Sequence, residues 1–366
     1  MEHAVISNPR RKKSQILPLF AVLALLYIFI ASRHAPEYPL LIQTETINLP
    51  QTTILPKPLQ PQAIVPFETA DRMGLLNSSN AVAALAVKNG RNVLGPGFYL
   101  EAFPDQKKLI LDDLFSGNRT ELPYYGYPFS RANRIFLLRP DQMGASELDK
   151  RGAVRWTREF GTPITAFSAQ GSLSAWGTLN GSLAVLDEGG KTFDIGSNLP
   201  WNTSAFHAVY GIAISKDQQA FAVIAGYKPL TMTLFVSDGT KFKLARSVKL
   251  DGRADTEIPM VFSNDASWLM AALPDCVVIL HTQTGRYRQQ AQKSAVQSLT
   301  PFGQSQISAL VRDSNGGKLA IYDKGVEICA LPVQKSACDA AEGVNSLILT
   351  DELESPGKLR LYRVKK

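Results

Sequence analysis

Histidine and cysteine are scarce in this sequence: four and three residues out of 366. Only His207 and His281 lie beyond residue 34, and neither stands in an HExxH or other metal-ligand spacing. No GxSxG elbow presents a serine nucleophile, and no Ser, His and Asp arrangement can be traced. Gly190-Lys191-Thr192 imitates the end of a phosphate-binding loop, but the glycine that motif needs at 185 is Val185. The adjacent acids Asp112-Asp113 and those of "DELE" (351–354) read as solvated turn residues. No catalytic residue, metal site or cofactor site is therefore expected.

A basic stripe is also missing. The formal charge is +7, but residues 1–34 hold five basic residues against one acid, and residues 358–366 hold five basic residues and no acid. What lies between carries slightly more acid than base. A nucleic-acid binder needs its positive charge on the folded face, so nucleic acid is excluded as a partner.

Long helical periodicity is absent after residue 66. The one long apolar run is "ILPLFAVLALLYIFIAS" at 16–32, without a charge and long enough to cross a bilayer as a helix. Arg10, Arg11, Lys12 and Lys13 precede it, which predicts a cytoplasmic N-terminus of 15 residues and an uncleaved signal-anchor. Everything after residue 33 is then extracytoplasmic, periplasmic if the cell is Gram-negative. Residues 33–66 read as a Pro-rich extended linker, with seven prolines between 35 and 66. Polyproline II spacing of about 3.1 Å per residue lets it reach on the order of 90 Å.

What is present is a repeat of short strands. "GGKLAIYDKG" (316–325) and "PGKLRLYRVKK" (356–366) place Gly317 and Tyr322 in step with Gly357 and Tyr362, 40 residues on. Residues 164–195 show the whole unit: strands "ITAF", "SLSAWG", "SLAVLD" and "KTFDI", separated by turns. Similar units follow at 211–250, 259–288 and from 298 onward. Four antiparallel strands at a period of 40–50 residues predict β-propeller blades, because a single such sheet cannot bury both its faces. Candidate third strands at 97–103, 134–141, 182–187, 233–238, 276–281, 318–323 and 358–363 give seven blades over residues 67–366. The last copy runs out after its third strand. An unpaired sheet edge would result, so an N-terminal segment, placed near 62–88, is expected to close the ring as the outer strand of the final blade.

The stretch "AFSAQGSLSAWGTLNGSLAVLDEGG" (166–190) resembles the repeats of WD40 and quinoprotein-type propellers in its small-residue turns and in the strand ending at Asp187. The Gly-His and Trp-Asp dipeptides of strong WD40 repeats do not occur, nor do the adjacent cysteines and acidic ligands of quinoprotein dehydrogenases. The resemblance therefore implies an all-β propeller and a rigid interaction platform, and no catalytic residue.

Two places carry candidate partner-binding residues. "ELPYYGYPFSR" (121–131) gathers Tyr124, Tyr125, Tyr127 and Phe129, which read either as a binding surface or as core. The connecting segment "NLPWNTSAFHAVYG" holds Trp201 and His207. Cys329 and Cys338, eight residues apart, are candidates for a disulfide in an oxidising compartment, while Cys276 opens an apolar strand. Four Asn-x-Ser/Thr sequons, at Asn77, Asn118, Asn180 and Asn202, are acceptors only in a secretory lumen. Together these features predict a membrane-anchored platform that docks other envelope or membrane proteins. The competing expectation is an enzyme or small-ligand binder that uses the central channel of the ring.

Overall fold

The computed structural model describes residues 40–365, apart from 51, 56–64, 70, 203–206, 293, 314–315, 334–336, 344–345 and 352–357. The expected anchor at 16–32 lies outside the described residues. Among those described, no helix is long and apolar enough to cross a membrane, and the single helical element is a 3-10 turn at Pro104–Gln106.

Every second residue of a strand points to the same face, and blade strands read as near-continuous apolar runs because both faces are covered. Ala220–Gly226 shows this directly. Phe221, Val223 and Ala225 pack against one neighbouring blade, while Ala222 and Ile224 pack against the other. The strands form eight sheets, six of four strands and two of three. Each of eight hydrophobic clusters lies between two consecutive sheets, and the last joins the eighth to the first through Leu359, Leu361, Phe67 and Leu85. The all-β propeller of largely four-stranded blades is thus as expected, with eight sheets among the described residues where the marker strands imply seven blades.

The discrepancy has a simple cause. The five later marker strands are third strands, but 97–103 and 134–141 fall on the second strands Phe98–Phe103 and Arg134–Leu138. An additional blade precedes them, made of Val65–Glu68, Arg72–Leu76 and Val82–Val87. Blades are numbered here from that one. Blades 2 to 7 begin at Asn92–Gly95, Tyr127–Arg131, Ile164–Gln170, Val209–Ile214, Met260–Phe262 and Ala295–Phe302, and blade 8 at Ala337–Gly343.

Closure comes from farther upstream than 62–88. Leu40–Asn48, inside the proline-rich segment, pairs antiparallel with Lys358–Lys365 as the outer strand of blade 8, from Leu40 opposite Lys365 to Asn48 opposite Lys358. Residues 40–48 contain no proline, which a paired strand would tolerate poorly. A few residues on, Ile54 bridges Leu85 at the outer edge of blade 1, with N···O distances of 2.8 and 2.7 Å. The same short stretch therefore holds both the last blade and the first. The repeated strands have equivalent places too: Tyr322 packs on Met270 and Ala272 of blade 6, and Tyr362 on Leu319 and Ile321 of blade 7.

Strand alternation fixes the two ends of the ring in blades 3 to 7. At one, here the connecting end, the chain passes from each blade to the next inner strand and makes the hairpins between second and third strands. The opposite end holds the hairpins between first and second strands, and these interlock. Arg134 Nη1 lies 3.5 Å from Gly171 O, Lys216 Nζ 3.1 Å from Asn264 Oδ1, and Asn264 Nδ2 2.9 Å from Gly303 O. The hairpins themselves are held by side chains: Ser215 donates to Asp217 and Ser263 to Asp265, both at 2.6 Å.

Candidate functional site at the connecting end

The connecting end of blades 3, 4 and 5 concentrates exposed apolar side chains. Tyr125 ends the passage from blade 2, and Tyr127 opens the inner strand of blade 3; each is 44% exposed. The second-to-third hairpins of these three blades add Met143, Leu179 and Tyr227, in that order. Leu179 is 56% exposed because its hairpin turns tightly around it. Gly181 N donates to Thr178 O at 3.0 Å, Asn180 Oδ1 accepts from Ser182 N at 3.2 Å, and Gly181 has φ +79°, a value that favours glycine. Lys228 Nζ sits 5.5 Å from the centroid of the Tyr227 ring.

One of the residues named from sequence belongs to the core, and two more are half-buried against it. Trp201 is 1% exposed, packs among Phe235, Val209 and Phe221, and donates its indole N–H to Gly181 O at 2.9 Å. It braces the hairpin that presents Leu179, and no partner can touch it directly. Phe129 is half-buried in an aromatic cluster between blades 3 and 4, with ring centroids 5.1 Å from Phe167 and 5.5 Å from Phe136. Tyr124 is half-buried against the apolar cluster of blades 2 and 3. Of the six candidates, Tyr125, Tyr127 and His207 remain at the surface of this end or half-exposed there.

His207 lines an open groove of about 540 Å³ with Asn180, Gly181, Ser182, Leu183, Ile195, Gly196, Ser197, Leu199 and Asn202. The hairpin and the connecting segment press together at Gly181, where a Cβ would fall 2.4 Å from His207 Cδ2. Among the described residues, no formally charged side chain lines the groove.

Near the axis, Glu257 precedes the inner strand of blade 6 and accepts a backbone hydrogen bond from Phe167 on the inner strand of blade 4. The free edge of an inner strand faces the channel, so this carboxylate reaches into the channel mouth. The side chain is exposed to solvent, and partial desolvation by the surrounding walls pushes its pKa up, while the Arg131 guanidinium and the Phe167 amide pull in the other direction. Among the described residues no group of three or more His, Cys, Asp or Glu could hold a metal ion. Cys329 is a free thiol on Val326–Val333, the outer strand of blade 7, and Cys276 is buried. Cys338 falls on the inner strand of blade 8, and its side chain lies outside the described residues.

Met143, Leu179, Tyr227 and Glu257 escaped sequence reasoning. For the first three the signal is an apolar residue inside a turn, as in "TLNG" and "GYKP"; Glu257 has no such local signal. That signal becomes legible only once blade register says which turns share an end.

Comparison with known proteins gives the same architecture. BamB from Moraxella catarrhalis superposes with a TM-score of 0.56 and 14% identity, over 88% of this chain and all of that one. The dihydro-heme d1 dehydrogenase NirN, solved in complex with DHE, gives a TM-score of 0.49 and 14% identity over 74% of this chain and 64% of that chain. An uncharacterized protein of Treponema pallidum (strain Nichols) is 24% identical over 153 residues, 41% of this chain and 39% of that protein. The match thus spans well under half of that relative's length. A family described as beta-propeller protein matches residues 8–331, most of the chain, and the protein belongs to that family.

Proposed function

We propose that the protein is a membrane-anchored, extracytoplasmic docking platform that holds envelope proteins against the connecting end of blades 3 to 5. The observation that carries this reading is the gathering of Tyr125, Tyr127, Met143, Leu179 and Tyr227 on one end of three consecutive blades. Exposed aromatics and methionine clustered on a rigid frame are the composition of interaction surfaces. The frame is stiff because the opposite end is cross-tied from blade to blade. Anchoring through residues 16–32 fits the uncharged run and the basic residues before it.

The test is purification of the full-length protein in mild detergent with identification of what stays bound, for wild type and for Tyr125→Ala/Tyr227→Ala. A stoichiometric partner lost from the double variant supports the reading. A protein that purifies alone and intact removes it.

One observation favours a second reading, a small-ligand site in the channel. The Arg131 guanidinium of blade 3 acts on the carboxylate of Glu257, which precedes blade 6 and accepts from the Phe167 amide on the inner strand of blade 4. A ligand whose binding is abolished by Glu257→Gln, with the bound partner unaffected, would favour this alternative.

A further inference from the structure

Blade 4 is built for four strands and holds three. Among the described residues, its third strand, Leu183–Leu186, is bridged on the outside only at Thr192, through Asp187 N to Lys191 O at 3.0 Å and Phe193 N to Val185 O at 2.8 Å. The expected fourth strand "KTFDI" goes no further along this edge. Asp194 O accepts from Phe242 N of blade 5 at 2.9 Å, and the Phe193 ring packs 5.6 Å from that of Phe242. Asp194 Oδ1 then accepts from Gly196 N at 2.9 Å, and Gly196 turns at φ +77°. The chain is drawn off toward blade 5, and the groove of about 540 Å³ opens where the strand would have continued.

The backbone facing that groove is usable. Asp187 N and Val185 O point outward, since they bond to Lys191 and Phe193. Strand alternation turns Leu183 the same way, and Leu183 lines the groove. No backbone bond to the outward groups of Leu183 is made among the described residues.

We infer that this edge takes an extended peptide segment of a partner as the remainder of the fourth strand of blade 4. The inference rests on the docking-platform reading and specifies how part of that surface recognises its partner. Strand addition supplies affinity through main-chain hydrogen bonds and specificity through alternate side chains. Asn180, Ser182, Ser197, Asn202 and His207 offer amide, hydroxyl and imidazole groups beside Leu183, Ile195 and Leu199. With no charged lining residue, a charged side chain on the segment would lose water without gaining a counterion. The segment that fits is therefore extended and neutral, with Ser, Thr, Asn or Gln alternating with apolar residues and no proline at positions that must donate.

The experiment is a selection of displayed random decapeptides on the full-length protein in detergent. Binders are counted against two variants, Leu183→Pro, which removes the outward N–H, and Ser197→Lys/Asn202→Lys, which charges the wall without touching the ladder. The expected result is enrichment of neutral, proline-poor sequences, with binding at least about tenfold weaker to either variant. The bound peptide should also slow amide exchange at Leu183 by about tenfold or more. Failure to enrich such peptides, equal binding to wild type and the lysine variant, or protection elsewhere would overturn the inference. If the same variants still carry a stoichiometric partner from detergent extracts, the platform reading stands and only strand addition fails. Loss of the partner from the tyrosine variant and not from these also rejects strand addition alone.

Discussion

The side-chain oxygen of Gln218 accepts two hydrogen bonds from Ser172, 2.9 Å from its backbone N and 2.7 Å from its Oγ. Gln218 belongs to the first hairpin of blade 5 and Ser172 to that of blade 4, 46 residues earlier. A side chain on a tight turn thus clamps two blades that also share an apolar core and the hydrogen bond from Thr165 Oγ1 to Val209 O at 2.6 Å. Gln218 adopts φ +60°, and Gly171 beside Ser172 has φ +53°. Backbone conformations uncommon for most residues are held here because the clamp and the turn determine each other.

Gln218→Ala removes this clamp and leaves the cores intact. The expected loss is about 1–2 kcal/mol, the range for neutral hydrogen bonds when the donors regain water. Urea denaturation measures it, with the midpoint falling and the slope unchanged.

A much larger effect is expected at Glu147. This carboxylate is fully buried in blade 3 and accepts from Arg134 Nε at 3.0 Å, Trp156 Nε1 at 2.9 Å and Arg155 Nη1 at 3.2 Å. Glu147→Ala strands a buried guanidinium, which costs about 3–5 kcal/mol. Denaturation followed by tryptophan fluorescence should show it. The double change Glu147→Leu/Arg134→Leu, which leaves no lone charge, is expected to recover most of the loss.

Ring closure is testable at Ile47, which sits opposite Leu359 in the pairing of Leu40–Asn48 with Lys358–Lys365 and packs beside Leu359 and Leu361. Ile47→Asp puts a charge into that contact. Amide exchange at residues 359–362 should accelerate by more than tenfold while the strands of blades 4 to 6 keep their protection. Uniform acceleration would mean that the outer strand does not act as a local latch.

For Glu257 the pH dependence has a definite sign. Partial desolvation raises its carboxyl in the folded chain above its ordinary value of 4.5, although the side chain is exposed. The unfolded chain then ionises first as pH rises, so the folded state loses stability on going from about pH 4 to about pH 7. Glu257→Gln has no such loss. Its urea midpoint, relative to wild type, should therefore be higher at about pH 7 than at about pH 4.

Much of this architecture was legible in the sequence because blade strands are apolar on both faces and are cut by turn residues. "QAFAVIAG" and "CVVILH" can be nothing else, and Tyr322 and Tyr362 betray the repeat by filling equivalent interfaces. Blade 1 hid because it follows prolines and because, among the described residues, its outer edge is met by Ile54 alone, through a single bridge. Leu40–Asn48 hid for the same reason: prolines on both sides made a paired strand read as spacer. The candidate site was half legible. Trp201 read as a loop aromatic and Phe129 stayed open between surface and core since local sequence does not say which neighbour covers a ring, whereas Leu179 and Tyr227 needed the register of whole blades.

Partners docked on the connecting end of blades 3 to 5 would lie within reach of Tyr227. The most direct measurement is site-specific photo-crosslinking in intact cells, with the reactive side chain placed at Tyr227 or at Tyr287. Tyr287 is as exposed as Tyr227 but lies on the outer strand Tyr287–Ala291 of blade 6. The account predicts one discrete crosslinked envelope protein from position 227 and none from position 287. Equal crosslinking from both, or none from 227 in cells where the protein is folded and abundant, would contradict it.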